Sequence, residues 1–246
     1  SKDEVGVLIR SFQRMMDQMN HLISEVYESK IQLQNSEMRA LQAQINPHFL
    51  YNTLDAIVWL AEEKKSAEVV KMVTSLSDFF RTTLSKGHDY ITVKEERTHI
   101  ESYLEIQQFR YQDILDYEIQ MDEEIYGYII PKLTLQPLVE NALYHGIKNK
   151  RGKGKILITG KKQGDKIIFQ VIDNGKGMTE EELNSLRKKM AGTDTGDEAK
   201  GFGVSNVNQR IKYYYGGEYG VFFESKENEG TNATIIIAAK NIQLLS

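Results

Sequence analysis

The feature that most restricts this chain is a long opening stretch without helix breakers: the first proline is Pro47, and Gly6 is the only glycine before it. Nothing there interrupts a helix. Val5, Leu8, Phe12, Met15, Met19, Leu22 and Val26 alternate steps of three and four residues, which is the seam of a coiled coil and predicts dimerisation. The phase weakens at Ser29 and Ser36 and resumes on a shifted register at Met38, Leu41 and Ile45, as a heptad break produces. Helix continued to Leu60 makes a rod roughly 85 Å long. A second amphipathic stretch, Ser66 to Lys86, carries Val69, Val70, Val73, Leu76, Phe79, Phe80 and Leu84 on one stripe, with Gly87 as its stop. A short polar link, Glu62 to Lys65, makes the two helices an antiparallel hairpin, and dimerisation turns the hairpin into a four-helix bundle.

From Asp89 onward the pattern changes. A helix rich in Glu and Gln is predicted from Lys94 to about Arg110, followed by period-two alternation at Leu115, Tyr117, Ile119 and Met121. Lys155 to Thr159 and Lys166 to Asp173 flank Gly164-Asp165, a two-residue turn whose leading glycine suits type II′. Tyr219 to Glu224 and Thr231 to Ala238 read as further strands. Helices alternate with them at Leu133 to Lys148, Thr179 to Lys189 and Val204 to Tyr214. The expected fold is therefore α + α/β: a coiled-coil helix, a dimeric helical hairpin, and an α/β sandwich large enough for its own core.

Charge and composition exclude several functions. Lys and Arg number 31 against 35 Asp and Glu, a net charge of −4 in 246 residues, which leaves no basic surplus for a nucleic acid partner. With no cysteine, disulfides, thiolate zinc sites and thiol nucleophiles are excluded. The longest apolar run, Ala233 to Ala239, is far short of the ~20 residues that span a bilayer, so the chain is expected to be soluble.

Chemistry concentrates in three places. VIDNGKGM sets Asp173 at a strand end before Gly175 and Gly177, and AKGFGVSN sets Gly201 and Gly203 at a helix entry. Glycines let the backbone approach a ligand, a helix N-terminus favours phosphate, and an aspartate in such a pocket can accept a hydrogen bond from an exocyclic amine such as adenine's. Taken singly, each motif reads equally well as a tight surface turn or a plain helix entry. The third, LTLQPLVENALYHG, is a helix carrying Glu140 and Asn141, with His145 one turn beyond Asn141. An amide oxygen beside a carboxylate is hard-oxygen ligation suited to Mg²⁺, which takes its other ligands from water and nucleotide phosphates.

In this order and spacing, VENALYHG, DNGKGM and GFGVSN resemble the N, G1 and G2 boxes of the GHKL (Bergerat) ATPase fold shared by histidine kinases, gyrase, the Hsp90 chaperone and MutL, over about Pro131 to Ala238. LQAQINPHFLYNTLDAI resembles the phosphoacceptor segment of LytS-like sensor histidine kinases, with His48 as acceptor, and LSDFFRTTL and IESYLEIQQFRY extend the likeness. DEVGVLIRSFQRMM resembles the last helix of a HAMP linker. The resemblance implies a domain order of 1–30 HAMP helix and coiled-coil linker, 31–88 dimerisation and phosphotransfer hairpin, and 89–246 ATP-binding domain. It implies a sensor histidine kinase that binds ATP and Mg²⁺, phosphorylates His48 and passes the phosphoryl group to a response-regulator aspartate. It also implies a homodimer forming the cytoplasmic portion of a cell-membrane receptor whose transmembrane segments precede it. The readings that compete are a dimeric nucleotide-binding scaffold and another GHKL ATPase.

On that resemblance Asp173 holds adenine, Glu140 and Asn141 form the metal site, His145 lies toward the phosphates, and Gly175, Gly177, Gly201 and Gly203 shape the phosphate and lid walls. Ala191 to Lys200 is a mobile lid, and Thr179 with Glu182 forms a capping box ahead of it. Phe49 stands where many histidine kinases carry an acidic residue, and Glu140 is the candidate base. Tyr144 stands in place of a phosphate-facing lysine, which moves that contact toward His145 or Lys148, and Ser205 replaces the last glycine of its box. His21, His88 and His99 are expected to be solvated or packed, and Arg81 and Arg110 to be ion-pair partners. Asn52, four residues after His48, shares its helix face. It either holds a water that attacks the regulator's aspartyl phosphate or bonds the backbone freed by Pro47.

Overall fold

In the computed structural model the described residues are 47–83, 89–148, 150, 152–191 and 202–241. The coiled coil, the heptad shift, His21, His88, most of the lid segment and Gly201 lie outside them. The chain divides into two compact units, Ser1–Asn52 and Thr53–Ser246.

Helix α1 (Pro47–Glu62) begins at proline, whose fixed φ and missing N–H suit a first turn. It ends in a Schellman motif: Lys65 N–H donates to the Leu60 carbonyl at 2.9 Å and Lys64 N–H to that of Ala61 at 3.0 Å, with Lys64 at φ 56°. Helix α2 (Ser66–Thr83) follows. Its buried face is Met72, Ser75, Phe79 and Thr83, while Val70 and Val73 are exposed. Two hydroxyls occupy that face because Ser75 bonds the Lys71 carbonyl and Thr83 that of Phe79, so their burial strands no polar group. An apolar pattern overlooks such positions.

Strand β1 (Tyr90–Thr92) leads into α3 (Val93–Arg110), which opens on a full capping box between Thr92 and Glu95. Strand β3 (Ile129–Pro131) pairs antiparallel with β1 as a small separate sheet. Among the described residues the main sheet has five strands in the order β2 (Leu115–Met121), β4 (Gly154–Gln163), β5 (Lys166–Asp173), β7 (Gly230–Ala238) and β6 (Gly220–Lys226). Only β2 and β4 are parallel. The β4–β5 turn places Gly164 at φ 62° and Asp165 outside the positive-φ region, as the II′ reading requires. Alternation decides the buried face: Ile167, Phe169, Val171 and Asp173 of β5 are all buried, as are Ile156 and Ile158 of β4 and Ala233, Ile235 and Ile237 of β7. Helices α5 (Glu180–Met190) and α6 (Phe202–Tyr215) pack against β6.

The helix predicted from Leu133 starts later, as α4 (Gln136–Asn141), and continues as a π-helical turn (Ala142–Ile147). The preceding corner, with Leu133 at φ 58°, is held by Glu96, fully buried on α3, whose carboxylate accepts from the N–H groups of Leu133 at 3.0 Å and Leu135 at 2.7 Å. Lys64 supplies a test of the α1–α2 link. Lys64→Gly relieves a left-handed backbone and is expected to raise stability by about 0.5–1 kcal/mol in denaturant melts.

Candidate active site

Period two along β5 that buries Ile167, Phe169 and Val171 also buries the next residue in phase, Asp173, at 5% exposure. A carboxylate thus stands at the end of an apolar row. It is satisfied locally: its Oδ1 accepts from the Gly175 N–H at 2.8 Å, and the Thr231 N–H also donates to it. Burial still pushes its pKa from 3.8 up to about 6, against the opposing pull of those N–H groups and of Lys150.

Two glycines make this possible. A Cβ on Gly146 would lie 2.6 Å from Asp173 Oδ1, and one on Gly175 would lie 2.3 Å from the Gly146 carbonyl carbon. The π turn, strand end and loop therefore meet where no side chain fits. Gly177, at φ 65°, lies so close to Lys226 that a Cβ would fall 2.0 Å from its carbonyl oxygen. Gly146 is absent from the sequence-derived set. The signal available was its place at the end of the same conspicuous segment, LYHG, and a π turn is where helices commonly build sites.

Asp173 lines a cavity of about 440 Å³, a volume suited to a small-molecule ligand. Val171, Thr231, Ala233 and Phe223 contribute from the sheet, and Leu138, Asn141, Ala142 and His145 from α4 and the π turn. Helix α5 adds Glu182, Ser185, Leu186 and Lys189, and the loop before it Lys176, Gly177 and Met178. Much of this wall is apolar, and Asp173 is its one buried carboxylate. The wall also carries His145, Lys176 and Lys189, which can face an anion. The expected capping box is present: Glu182 N–H donates to Thr179 Oγ1 at 3.2 Å and Thr179 N–H to Glu182 Oε2 at 2.9 Å.

The structure separates residues that the sequence grouped. Asn141, His145, Asp173 and Gly177 line the cavity, and Gly175 abuts it beside Gly146. Glu140 does not line it; successive helical residues point about 100° apart, and the Glu140 carboxylate accepts from Gln136 Nε2 at 2.9 Å. Burial raises its pKa. Tyr144 is outside the wall as well, with its hydroxyl accepting from Gln107 Nε2 at 3.2 Å, while Lys148 lies over the rings of Tyr144 and Tyr111. Of the two residues offered to replace the missing lysine, His145 is the one in the wall. Gly203 lies on α6, where a Cβ would make ordinary contact with Pro137 at 3.4 Å.

On α1, Asn52 Nδ2 and His48 Nδ1 are 2.9 Å apart, so the pair predicted to share a face is joined directly. Among the described residues no cluster of three acidic or histidine side chains could hold a metal. Asn141, whose amide is hard-oxygen chemistry suited to magnesium, is in the cavity wall. No described helix is long and apolar enough to cross a membrane.

Residues 131–241 match the histidine kinase-, DNA gyrase B- and HSP90-like ATPases, a domain that implies nucleotide binding, and residues 36–115 match the histidine kinases. The sensor histidine kinase YesM of Bacillus subtilis is 37% identical over 241 residues, 98% of this chain and 40% of the relative. The sensor protein LytS of Staphylococcus saprophyticus is 29% identical over 261 residues, 98% of this chain and 43% of the relative. The uncharacterized protein YwpD of Bacillus subtilis is 36% identical over 207 residues, 82% of this chain and 69% of the relative. The chain belongs to the histidine kinase family, and it spans less than half the length of YesM and LytS.

The buried carboxylate generates a stability test. The unfolded state releases the Asp173 proton near 3.8 and the folded state holds it to about 6, so stability falls as pH rises through that window. Asp173→Asn is expected to be more stable than wild type at pH 7–8 by about 1–3 kcal/mol, a gain that vanishes by about pH 4. Melting curves across pH check it. Gly146→Ala must displace the Asp173 carboxylate and is expected to weaken ATP binding by at least ~10-fold in calorimetry, with its circular dichroism unchanged.

Proposed function

We propose that this chain is the ATP-dependent protein-histidine kinase portion of a two-component sensor, with His48 as phosphoacceptor. The observation that carries the reading is the cavity whose wall includes one buried carboxylate, Asp173, among apolar residues, in a chain whose other family match contains His48. Adenine packs on the apolar wall and donates its exocyclic N–H to Asp173. The phosphates extend past Asn141 toward His145, Lys176 and Lys189. Magnesium, when bound, neutralises phosphate charge, and Asn141 would hold it.

Transfer forms an N–P bond at a ring nitrogen of His48 and breaks the bond between the γ-phosphorus and its bridging oxygen, leaving ADP. The protein contributes by positioning and charge neutralisation. Asn52 orients the acceptor: here its Nδ2 faces Nδ1, an N–H donor that puts the ring proton on Nε2, and turning the amide so that its carbonyl accepts from Nδ1–H frees the Nε2 lone pair for attack. The phosphoryl group then passes to a response-regulator aspartate. Asn52 sits beside the site of that exchange and also holds a water that attacks the regulator's aspartyl phosphate, regenerating the aspartate and releasing inorganic phosphate.

Leu54, Val58 and Trp59 of α1 and Val70 and Val73 of α2 are exposed. An apolar face of this kind supports a homodimer through the hairpin. By the same resemblance the chain is the cytoplasmic part of a membrane receptor.

With γ-labelled ATP, the wild-type chain is expected to acquire label that is acid-labile and base-stable. His48→Gln acquires none while retaining ATP binding, and label kept on His48→Gln refutes the assignment. Asn52→Ala is expected to abolish regulator dephosphorylation, since the amide holds the water, and to lower autophosphorylation less, since the amide only orients the ring, with the melting temperature unchanged.

A further inference from the structure

His99 is fully buried on α3, on a helix otherwise rich in charge. Its Nε2 is 2.7 Å from Gln136 Oε1, and Gln136 Nε2 donates to Glu140 Oε1 at 2.9 Å. Because the Gln136 amide N–H is committed to a carboxylate, its carbonyl faces His99, and His99 must donate from Nε2. Among the described residues Nδ1 has no hydrogen-bond partner, an uncommon state for a buried ring nitrogen. One hydrogen bond leaves the ring free to rotate about it, so packing fixes its orientation. The packing partner is Phe79 of α2, stacked on the imidazole with centroids 4.6 Å apart and planes 20° apart. Helix α2 is further tied to α3 by Ser75, whose one O–H is shared between the Lys71 carbonyl at 3.0 Å and Glu105 Oε2 at 2.5 Å, and by the Lys71–Glu105 ion pair at 3.4 Å.

We propose that His99 is a positioning residue that couples the docking of α2 on α3 to the metal end of the nucleotide site, through the chain Phe79, His99, Gln136, Glu140. Glu140 immediately precedes Asn141 on the short helix α4, so whatever holds the Glu140 carboxylate on the α3 side fixes the rotation of α4 that aims Asn141 into the cavity. Displacing α2 unstacks Phe79, the imidazole turns, Gln136 loses its acceptor role, and the aim of Asn141 loosens. The inference rests on the proposed role of Asn141 toward Mg·ATP. It gives Glu140 a task outside the cavity, and gives the second hairpin helix a route by which its position changes nucleotide affinity.

The experiment is a double-mutant cycle on ATP affinity measured with and without Mg²⁺ in the full 246-residue chain. Phe79→Leu keeps an apolar group while removing the stack, and Gln136→Met keeps the length while removing both hydrogen bonds. In the wild-type background Phe79→Leu is expected to weaken the Mg²⁺-dependent part of ATP affinity by roughly 3- to 10-fold, and in the Gln136→Met background to have no further effect. A purely structural role moves affinity equally with and without Mg²⁺. Equal factors in the two backgrounds, or no effect of Phe79→Leu, overturn the coupling. Asn141→Asp separates this from the underlying reading: if it leaves Mg²⁺-dependent affinity intact, the site assignment itself fails. Should Phe79→Leu not fold, reciprocity supplies a second measurement on the wild-type protein. Adding Mg·ATP must shift the His99 ring resonances in nuclear magnetic resonance spectra, and unshifted resonances at saturation overturn the proposal.

Discussion

The arrangement depends on one constraint: a carboxylate buried at the end of an apolar strand. Asp173 occupies the phase of β5 that faces the helices, and ionising it there costs free energy that local N–H donors only partly offset. Space for it exists because Gly146 and Gly175 carry no side chains where three segments converge, and because Gly230, at φ 112°, lets its backbone pass against the Asp173 carbonyl. The cavity is what remains open around that acceptor. Stability is given up at neutral pH for a polar group that a packed core would exclude, the pattern expected where binding rather than folding selects the residue.

A second buried carboxylate does structural work of a different kind. Glu96 receives two backbone N–H groups of the corner before α4, and Arg210 closes the same corner by donating to the Leu133 carbonyl at 3.2 Å. Burial raises the pKa of Glu96, and the partial charges around it, from His99, the two N–H groups and Arg210, pull the other way. With that corner fixed, α4 begins at Gln136 and its cavity-facing positions are determined by helical rotation. Asn141 and His145 then fall on the wall while Glu140 and Tyr144 turn to α3. The polar side of α3 is thus a scaffold for the nucleotide site, carrying Glu96, His99 and Gln107 in one row, and α2 packs on the same helix through Phe79.

Much of this architecture is written in local pattern. Alternation in β4, β5 and β7, the II′ turn at Gly164-Asp165, the Thr179 capping box and the i, i+4 relation of His48 and Asn52 each follow from neighbours within a few residues, and each is found. So are Asp173, Asn141, His145 and Gly177 at one cavity, because the motifs that carry them are contiguous in sequence. The role of Gly146 was not legible, since a glycine inside a helical segment announces only a cost, and the Asp173 oxygen that forbids a Cβ there is 27 residues away. Nor was the buried face of α2, where Ser75 and Thr83 pass as polar surface until their hydroxyls are seen to bond the preceding turn.

The sequence by itself determined most of the elements and their order, the proposed acceptor histidine's place before Asn52 on one helix face, and the residue types able to bind a nucleotide, because periodicity, capping and turn chemistry act over one or two turns of chain. Tertiary structure alone decided which of two adjacent residues, Glu140 or Asn141, lines the cavity. It also turned His99, unremarkable on a charged helix, into the buried link between Phe79 and Gln136. Both outcomes depend on how α4 is rotated against α3, and that rotation is set by contacts between residues some 20 to 40 positions apart in the chain, which no local pattern encodes.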